Sequence, residues 1–335
     1  MTLDAYFTEY LPAVEAEMLA IITDGLRGEH RYTAMIHHHM GWQPDGSPIP
    51  GAAGKRIRPV LVLLAAEAAG GNWRAALPFA AAVELIHNFS LLHDDIQDRS
   101  PTRRGRPTVW TQWGEAHAIN AGDALFAYAF RALHRATLPA ERILAAHDLL
   151  SATCIHLTQG QDADMDFEQR DTVTVDEYLA MIEGKTAALL AACAELGALA
   201  AGADVATRRA FFDYGRHVGL AFQLRDDILG IWGDSAATGK SAATDIETRK
   251  KTLPVLYALD RSPELRQMYI TPLTAESVPS AIALIEATGA RQHTEQAEQH
   301  HAAQALAYLA QATPQPNAAS QAIRTLTLSL LGRAS

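Results

Sequence analysis

The stretch from His87 to Arg106, HNFSLLHDDIQDRSPTRRGR, holds the residues whose types and spacing are best suited to chemistry. If its first half is helical, Asp94 and Asp98 lie one turn apart on one face with Asp95 beside them, so three carboxylates converge where the helix ends. Like charges repel at that spacing, and the C-terminal end of a helix dipole is itself negative, so the arrangement costs free energy unless a cation sits there. A few residues on, Arg103, Arg104 and Arg106 lie in a loop punctuated by Pro101, Gly105 and Pro107. Acids that want a hard cation, beside arginines that want an anion, point to a metal-bridged phosphate.

A second acidic pair repeats the logic. Asp226 and Asp227, within FQLRDD, stand toward the end of an apolar helix and precede a polar stretch, Gly233 to Lys251, that supplies Lys240, Lys250 and Lys251. One Asp pair alone reads more simply as a solvated helix end; two pairs, each followed by basic residues, favour a site. Such clusters on different helices can face one another across a cavity, and magnesium takes one or two carboxylates, waters and phosphate oxygens. A third element, GAAGKRIRP at Gly51 to Pro59, sets Lys55, Arg56 and Arg58 at a loop-to-helix junction. Exposed amides, a helix dipole and basic side chains there make an anion site, although basic residues at a surface turn are ordinary.

These residues need helices to hold them. In 335 residues alanine and leucine dominate, with no sustained alternation of β-branched residues, so the chain reads as all-α. Helices are expected at about Arg58 to Ala69, Arg74 to Gln97, Trp110 to Thr137, Ala140 to Asp166, Val175 to Leu199 and Ala206 to Ile231. His30 to Gly54 and Gly233 to Lys251 are expected as long loops. With no repeat and no evident linker, residues 1–335 are read as one domain: a large helical bundle, catalytic over about 55–253, with C-terminal helices packed on it.

Composition narrows the class. A formal charge of -10 argues against nucleic-acid binding. No uncharged apolar run reaches the length of a membrane span, the nearest being Thr186 to Ala203, and the acidic N-terminus reads as an amphipathic helix and not a signal peptide. Cys154 and Cys193 lie in apolar runs and form no disulfide framework, which suits a reducing cytoplasm. His37, His38 and His39 are adjacent, point in different directions on a helix and lack a partner at ligand spacing, so a metal role is not expected of them.

The order and spacing of GKRIRP, DDIQD with its downstream RR, EGKT at Glu183 to Thr186, FQLRDD and a following TGK resemble the motifs of the trans-isoprenyl diphosphate synthase family over about Gly54 to Leu253. The resemblance implies an all-α bundle around a deep central cavity, the isoprenoid synthase fold, and a magnesium-dependent prenyltransferase. That enzyme would join isopentenyl diphosphate to an allylic diphosphate through a carbocation, with three ions at the loaded site, and would be a homodimer. By position, Asp94, Asp95 and Asp98 with Asp226 and Asp227 would hold the metal. Arg103, Lys185 and Lys240 would grip the allylic diphosphate, and Lys55, Arg58, His87 and Arg104 would bind isopentenyl diphosphate. Thr186 and Gln223 fall within the same motifs, and Lys250 follows them, as further binding residues, and Asp94, Asp95, Lys185 and Asp226 would carry the catalysis. One departure is Gly230, where many members of the family have a third aspartate in the second motif.

Product length depends on the space below the metals. Ile86, Ser90, Asp94 and Asp98 form an i, i+4 stripe, so Ser90 would leave room for a growing tail while Phe89, five positions before Asp94, closes the tunnel. An aromatic there, without an insertion in the acidic motif, is similar to archaeal-type geranylgeranyl diphosphate synthases and implies a twenty-carbon product, with fifteen carbons (farnesyl) as the alternative. A terpene cyclase would not need Lys55, Arg58, His87 and Arg104. A regulatory subunit on the same fold would have lost the acids or the basic residues, and a di-iron bundle would need paired Glu-x-x-His ligands.

Overall fold

The computed structural model describes residues 1–25, 30–233, 244–270, 273–274 and 276–332. Its helices are α1 (Leu3–Gly25), α2 (His30–Met40), α3 (Ile57–Ala68), α4 (Leu77–Gln97), α5 (Val109–Trp113), α6 (Glu115–Leu133), α7 (Ala140–Gln169) and α8 (Val175–Ile182). They continue as α9 (Ala188–Ala201), α10 (Val205–Trp232), α11 (Thr244–Glu247), α12 (Leu253–Arg261), α13 (Pro263–Met268), α14 (Val278–Ala287), α15 (Ala290–Ala312) and α16 (Ala318–Leu330). A two-stranded hairpin, β1 (Thr102–Arg103) and β2 (Arg106–Pro107), interrupts them after α4. The chain forms two compact units. The first is Met1–Ser151, Ala192–Phe211 and Ala312–Ile323; the second is Ala152–Ala191, Phe212–Gln311 and Arg324–Ser335.

In the first unit α4 is the central element. Pro78 suits its first turn, where the missing N–H is not needed. Phe79, Val83, Leu85 and Ile86 are fully buried, while Ala80, Ala81 and Ala82 let neighbouring helices come close. Helix α6 packs along it, and a Cβ added to Gly122 would lie 2.3 Å from His93 Nε2, so that glycine permits the approach. In the second unit Thr174 caps α8 through a reciprocal capping box with Glu177. A five-residue π turn, Glu183–Ala187, then joins α8 to α9. Helix α7 crosses at that turn with almost no gap: a Cβ on Gly160 would lie 2.2 Å from the Lys185 backbone nitrogen.

The expected helices are present with three divisions, one of them the π turn Glu183–Ala187 within the expected Val175 to Leu199 helix. Gly114 at φ 92 breaks the expected Trp110 to Thr137 helix into α5 and α6, and a short 3-10 turn, Trp73–Ala76, precedes α4. His30 to Met40, expected within a loop, is helix α2. The glycines and prolines that suggested a loop are confined to 41–54, and the chain leaves α2 through Gly41 at φ 77, where a side chain would strike the Ala52 backbone. Part of the other expected loop is helical as well, at α11. Trp73–Gln97 and Val175–Ala201 are long and apolar enough to cross a membrane, but 72% and 67% of their apolar windows are buried in the fold, which marks them as core helices.

Candidate active site

The first acidic cluster forms at the C-terminal end of α4. Asp94 is half-buried, Asp98 is exposed at the C-cap, and the Asp98 amide donates to the Asp94 carbonyl at 2.8 Å. Asp95 is only 1% exposed. Its Oδ1 accepts from Arg103 Nε at 2.8 Å, whereas among the described residues no donor reaches its buried Oδ2. Burial raises the Asp95 pKa, and Arg103 pulls it back only in part. A buried carboxylate with one oxygen engaged and one open, beside two further acids, fits a hard cation.

The chain then turns back sharply. Arg104 and Gly105 have φ of 53 and 72, both positive as a type I′ hairpin turn requires, and this pairs Arg103 with Arg106. The reversal sends Arg103 to Asp95 and Arg104 to the 52–54 loop, where Arg104 Nη1 donates to the Ala52 carbonyl at 3.3 Å and its guanidinium lies over Gly54. Lys55 is exposed on that loop, and Arg58, in the first turn of α3, donates from Nη1 to His87 Nε2 at 3.2 Å. Burial and the Arg58 charge hold His87 well below the usual histidine pKa, so the ring is neutral. Arg58 and His87 are thus joined, and Arg104 lies against the loop on which Lys55 is exposed, with the Arg58 Nε buried and without a partner among the described residues.

Arg56 does not join them. It is 4% exposed and left-handed at φ 48; its Nε donates to Glu15 at 2.8 Å, its Nη1 to Glu84 at 2.7 Å and its Nη2 to the Met40 carbonyl at 2.9 Å. Sequence reasoning could not separate it from Lys55 and Arg58, because the two carboxylates that claim it come from α1 and α4. His39 was also missed as a member of this neighbourhood. It borders a small cavity with Asp95, Arg103 and Arg104, and burial together with those arginines holds its pKa down at about 3. His38 instead bonds Arg106, at 2.8 Å from its Nδ1, and the Pro107 carbonyl.

In the second unit Asp226 is exposed on α10 and Asp227 is buried at 2% exposure. Asp227, expected at the metal, has both oxygens engaged by protein donors. Gln223 Nε2 donates to Oδ1 at 3.2 Å, while the Tyr178 hydroxyl and the Leu253 amide, the latter at 3.2 Å, donate to Oδ2. Burial raises its pKa to about 7 against those bonds. Gln223 also accepts from the Thr186 hydroxyl at 2.9 Å, which ties the π turn to α10. Lys185, in that turn, is ion-paired with Asp164 of α7, an acid the sequence did not single out. Asp164, Tyr178, Lys185, Gln223, Asp227 and Lys250 border a cavity of about 20 Å³. Lys240 lies outside the described residues. A cavity of about 930 Å³ bordered by Gln159, Met165, Phe212 and Arg216 takes in Glu183 and Gly184 of the EGKT motif but none of the acidic-motif or basic residues named above. Among the described residues no three His, Cys, Asp or Glu side chains form a ready-made metal cage. Of the buried acids Asp95 and Asp227, Asp95 alone has an oxygen without a donor among the described residues.

A helical fold carrying aspartate-rich helix ends and separate anion-binding basic clusters defines an isoprenoid-synthase-type protein. Residues 48–285 match the polyprenyl synthetase family model, and the chain belongs to that family. It is 43% identical over 309 residues to geranylgeranyl diphosphate synthase of Mycobacterium tuberculosis (strain ATCC 25618 / H37Rv), covering 86% of this chain and 87% of that one. It is 51% identical over 226 residues to (2E,6E)-farnesyl diphosphate synthase of the same strain, covering 67% of this chain; the match spans only 62% of that relative's length. The fold is also similar, at a TM-score of 0.81 and 32% identity with 99% and 98% coverage, to the polyprenyl synthase of Caulobacter crescentus CB15 solved with calcium and isoprenyl diphosphate.

Proposed function

We propose that the protein is a magnesium-dependent trans-prenyltransferase that condenses isopentenyl diphosphate with an allylic diphosphate, head to tail. The observation that carries this reading is Asp95, a buried carboxylate with one oxygen on Arg103 and the other without a donor, at a helix end rich in acids. Asp94, Asp95, Asp98 and Asp226 would hold the metal, which when bound draws negative charge off the leaving diphosphate. We assign Asp227 to orienting α10 through Tyr178 and Gln223, because its oxygens already have donors.

Arg103 and Lys185, with Lys240, bind the allylic diphosphate; Lys185 must leave Asp164 to do so. Thr186 and Lys250 border the same anion. Lys55, Arg58, His87 and Arg104 bind isopentenyl diphosphate, and the neutral His87 gives Arg58 an acceptor without adding a charge. As the allylic C–O bond breaks, the isopentenyl double bond attacks the resulting cation. A proton is then lost to the released diphosphate, so no protein base is required.

The favoured product is geranylgeranyl diphosphate, with farnesyl diphosphate as the alternative; relatives named for each product support both. We further propose a cytoplasmic homodimer with three magnesium ions per loaded site. Ile119 and Phe126 on α6 and Leu144 on α7 are exposed at 43%, 37% and 71%, an apolar surface a second copy would cover. The test incubates purified protein with magnesium, isopentenyl diphosphate and each allylic starter separately, and identifies product lengths. Cyclised hydrocarbons would overturn the reading, as would an Asp94→Ala or Asp226→Ala variant that retained the wild-type rate.

A further inference from the structure

Gly230 lies four residues beyond Asp226 on α10 and therefore on the same helix face, one turn on. The space its side chain would fill is taken. A Cβ placed there would lie 2.1 Å from Asp245 Oδ2, 2.7 Å from its Cγ and 3.3 Å from its Oδ1. The Asp245 carboxylate thus occupies space that a side chain at position 230 would otherwise take. We propose that Asp245, reaching in from α11, supplies the third carboxylate of the second acidic motif that Gly230 does not. This rests on the metal-dependent reading above.

Asp245 is fixed in that position by its surroundings. Its helix is anchored by the fully buried Ile246, which packs with Ile231 and Val255, and its carbonyl accepts from the Lys250 amide at 2.8 Å. Left-handed Arg249, at φ 55, then turns the chain back toward α12. Asp245 also contributes, after burial, Asp227 itself and Asp164, to the raised pKa of Tyr178, the phenol that donates to Asp227. It therefore shares the neighbourhood of the second motif. An acid in the first turn of a helix is commonplace as a dipole partner, but that role does not require its carboxylate to fill the place of a missing side chain one turn from Asp226. The geometry also explains why position 230 is glycine: any side chain would meet the Asp245 carboxylate. Magnesium accepts carboxylates from different segments, provided waters and phosphate oxygens complete the octahedron.

The test is manganese(II) binding, followed by electron paramagnetic resonance in the presence of inorganic diphosphate, with folding checked by circular dichroism. Asp245→Asn should weaken manganese binding about 10- to 100-fold. Gly230→Asp alone should weaken it too, since two carboxylates crowd one place. Gly230→Asp combined with Asp245→Ala should recover wild-type affinity to within about threefold, because the carboxylate returns to α10. If Asp226→Ala loses manganese while Asp245→Asn binds it like the wild type, the inference fails and the metal site stands. A double variant that folds without recovering affinity also overturns it. A wild-type protein that takes up no manganese with diphosphate would refute the site reading and the inference together.

Discussion

His39 shows how a single residue answers to its neighbours and not to its type. In the sequence it is the third of three adjacent histidines; in the fold it sits beside Arg103 and Arg104, with Nε2 buried and lacking a partner among the described residues. Its folded-state pKa, about 3, lies below the ordinary value of 6.5. The unfolded chain therefore takes up the proton first. Stability from this group is full above about pH 6.5 and falls as the pH drops toward about 3, with a slope of at most about 1.4 kcal/mol per pH unit. Urea unfolding across that window should show the loss in the wild type and a shallower one in His39→Gln. Equal slopes in the two proteins would mean that the ring is not held neutral by its surroundings.

At the scale of elements, the basic loop before α3 is the clearest case. Lys55 and Arg56 are adjacent, yet one is exposed and the other is enclosed by Glu15 of α1 and Glu84 of α4. Glu84 also accepts from Asn88 Nδ2 at 2.8 Å, so the clamp extends along α4 toward the acidic end. Removing one member of a buried ion pair leaves the other charge uncompensated, at a cost of about 3–5 kcal/mol. Arg56→Met should lower the unfolding free energy by that amount, whereas Lys55→Met should change it by less than about 0.5 kcal/mol. Comparable losses in both variants would argue against the clamp.

Helix α4 carries the product-length expectation as well. Ile86 is fully buried, the Ser90 hydroxyl donates to its own helix at the His87 carbonyl at 2.9 Å, and Phe89 meets Phe126 of α6 edge to face at 5.1 Å. Product analysis of Phe89→Ala should show longer chains than the wild type. An unchanged distribution would place the floor on another element.

For the molecule as a whole, metal and substrate binding should be visible as stability. A ligand that binds only the folded state stabilises it by about 2.7 kcal/mol at a hundredfold excess over its Kd. Magnesium with inorganic diphosphate should raise the thermal unfolding midpoint, and a chelator should remove the shift. An equal shift from diphosphate with chelator present would show that the basic clusters bind the anion without the carboxylates.

The sequence by itself determined the helical class, the position of α4 and the two acidic motifs. Helical periodicity, Asp spacing and the glycines and prolines of the intervening loops are local signals, each legible within a turn or two of chain. It also set Asp94, Asp95 and Asp98 apart as candidates, since like charges at a negative helix end repel wherever the helix packs. Only the tertiary structure decided which members of each motif are open. Arg56 is withdrawn by carboxylates 41 and 28 residues away, Asp227 by a tyrosine 49 residues away, and Lys185 is held by Asp164. Asp245 fills the space at Gly230 from across a segment of chain whose spacing carries no periodic signal. Hydrogen bonds and ion pairs depend on distances of about 3 Å in space, and separation along the chain does not encode those distances once helices pack.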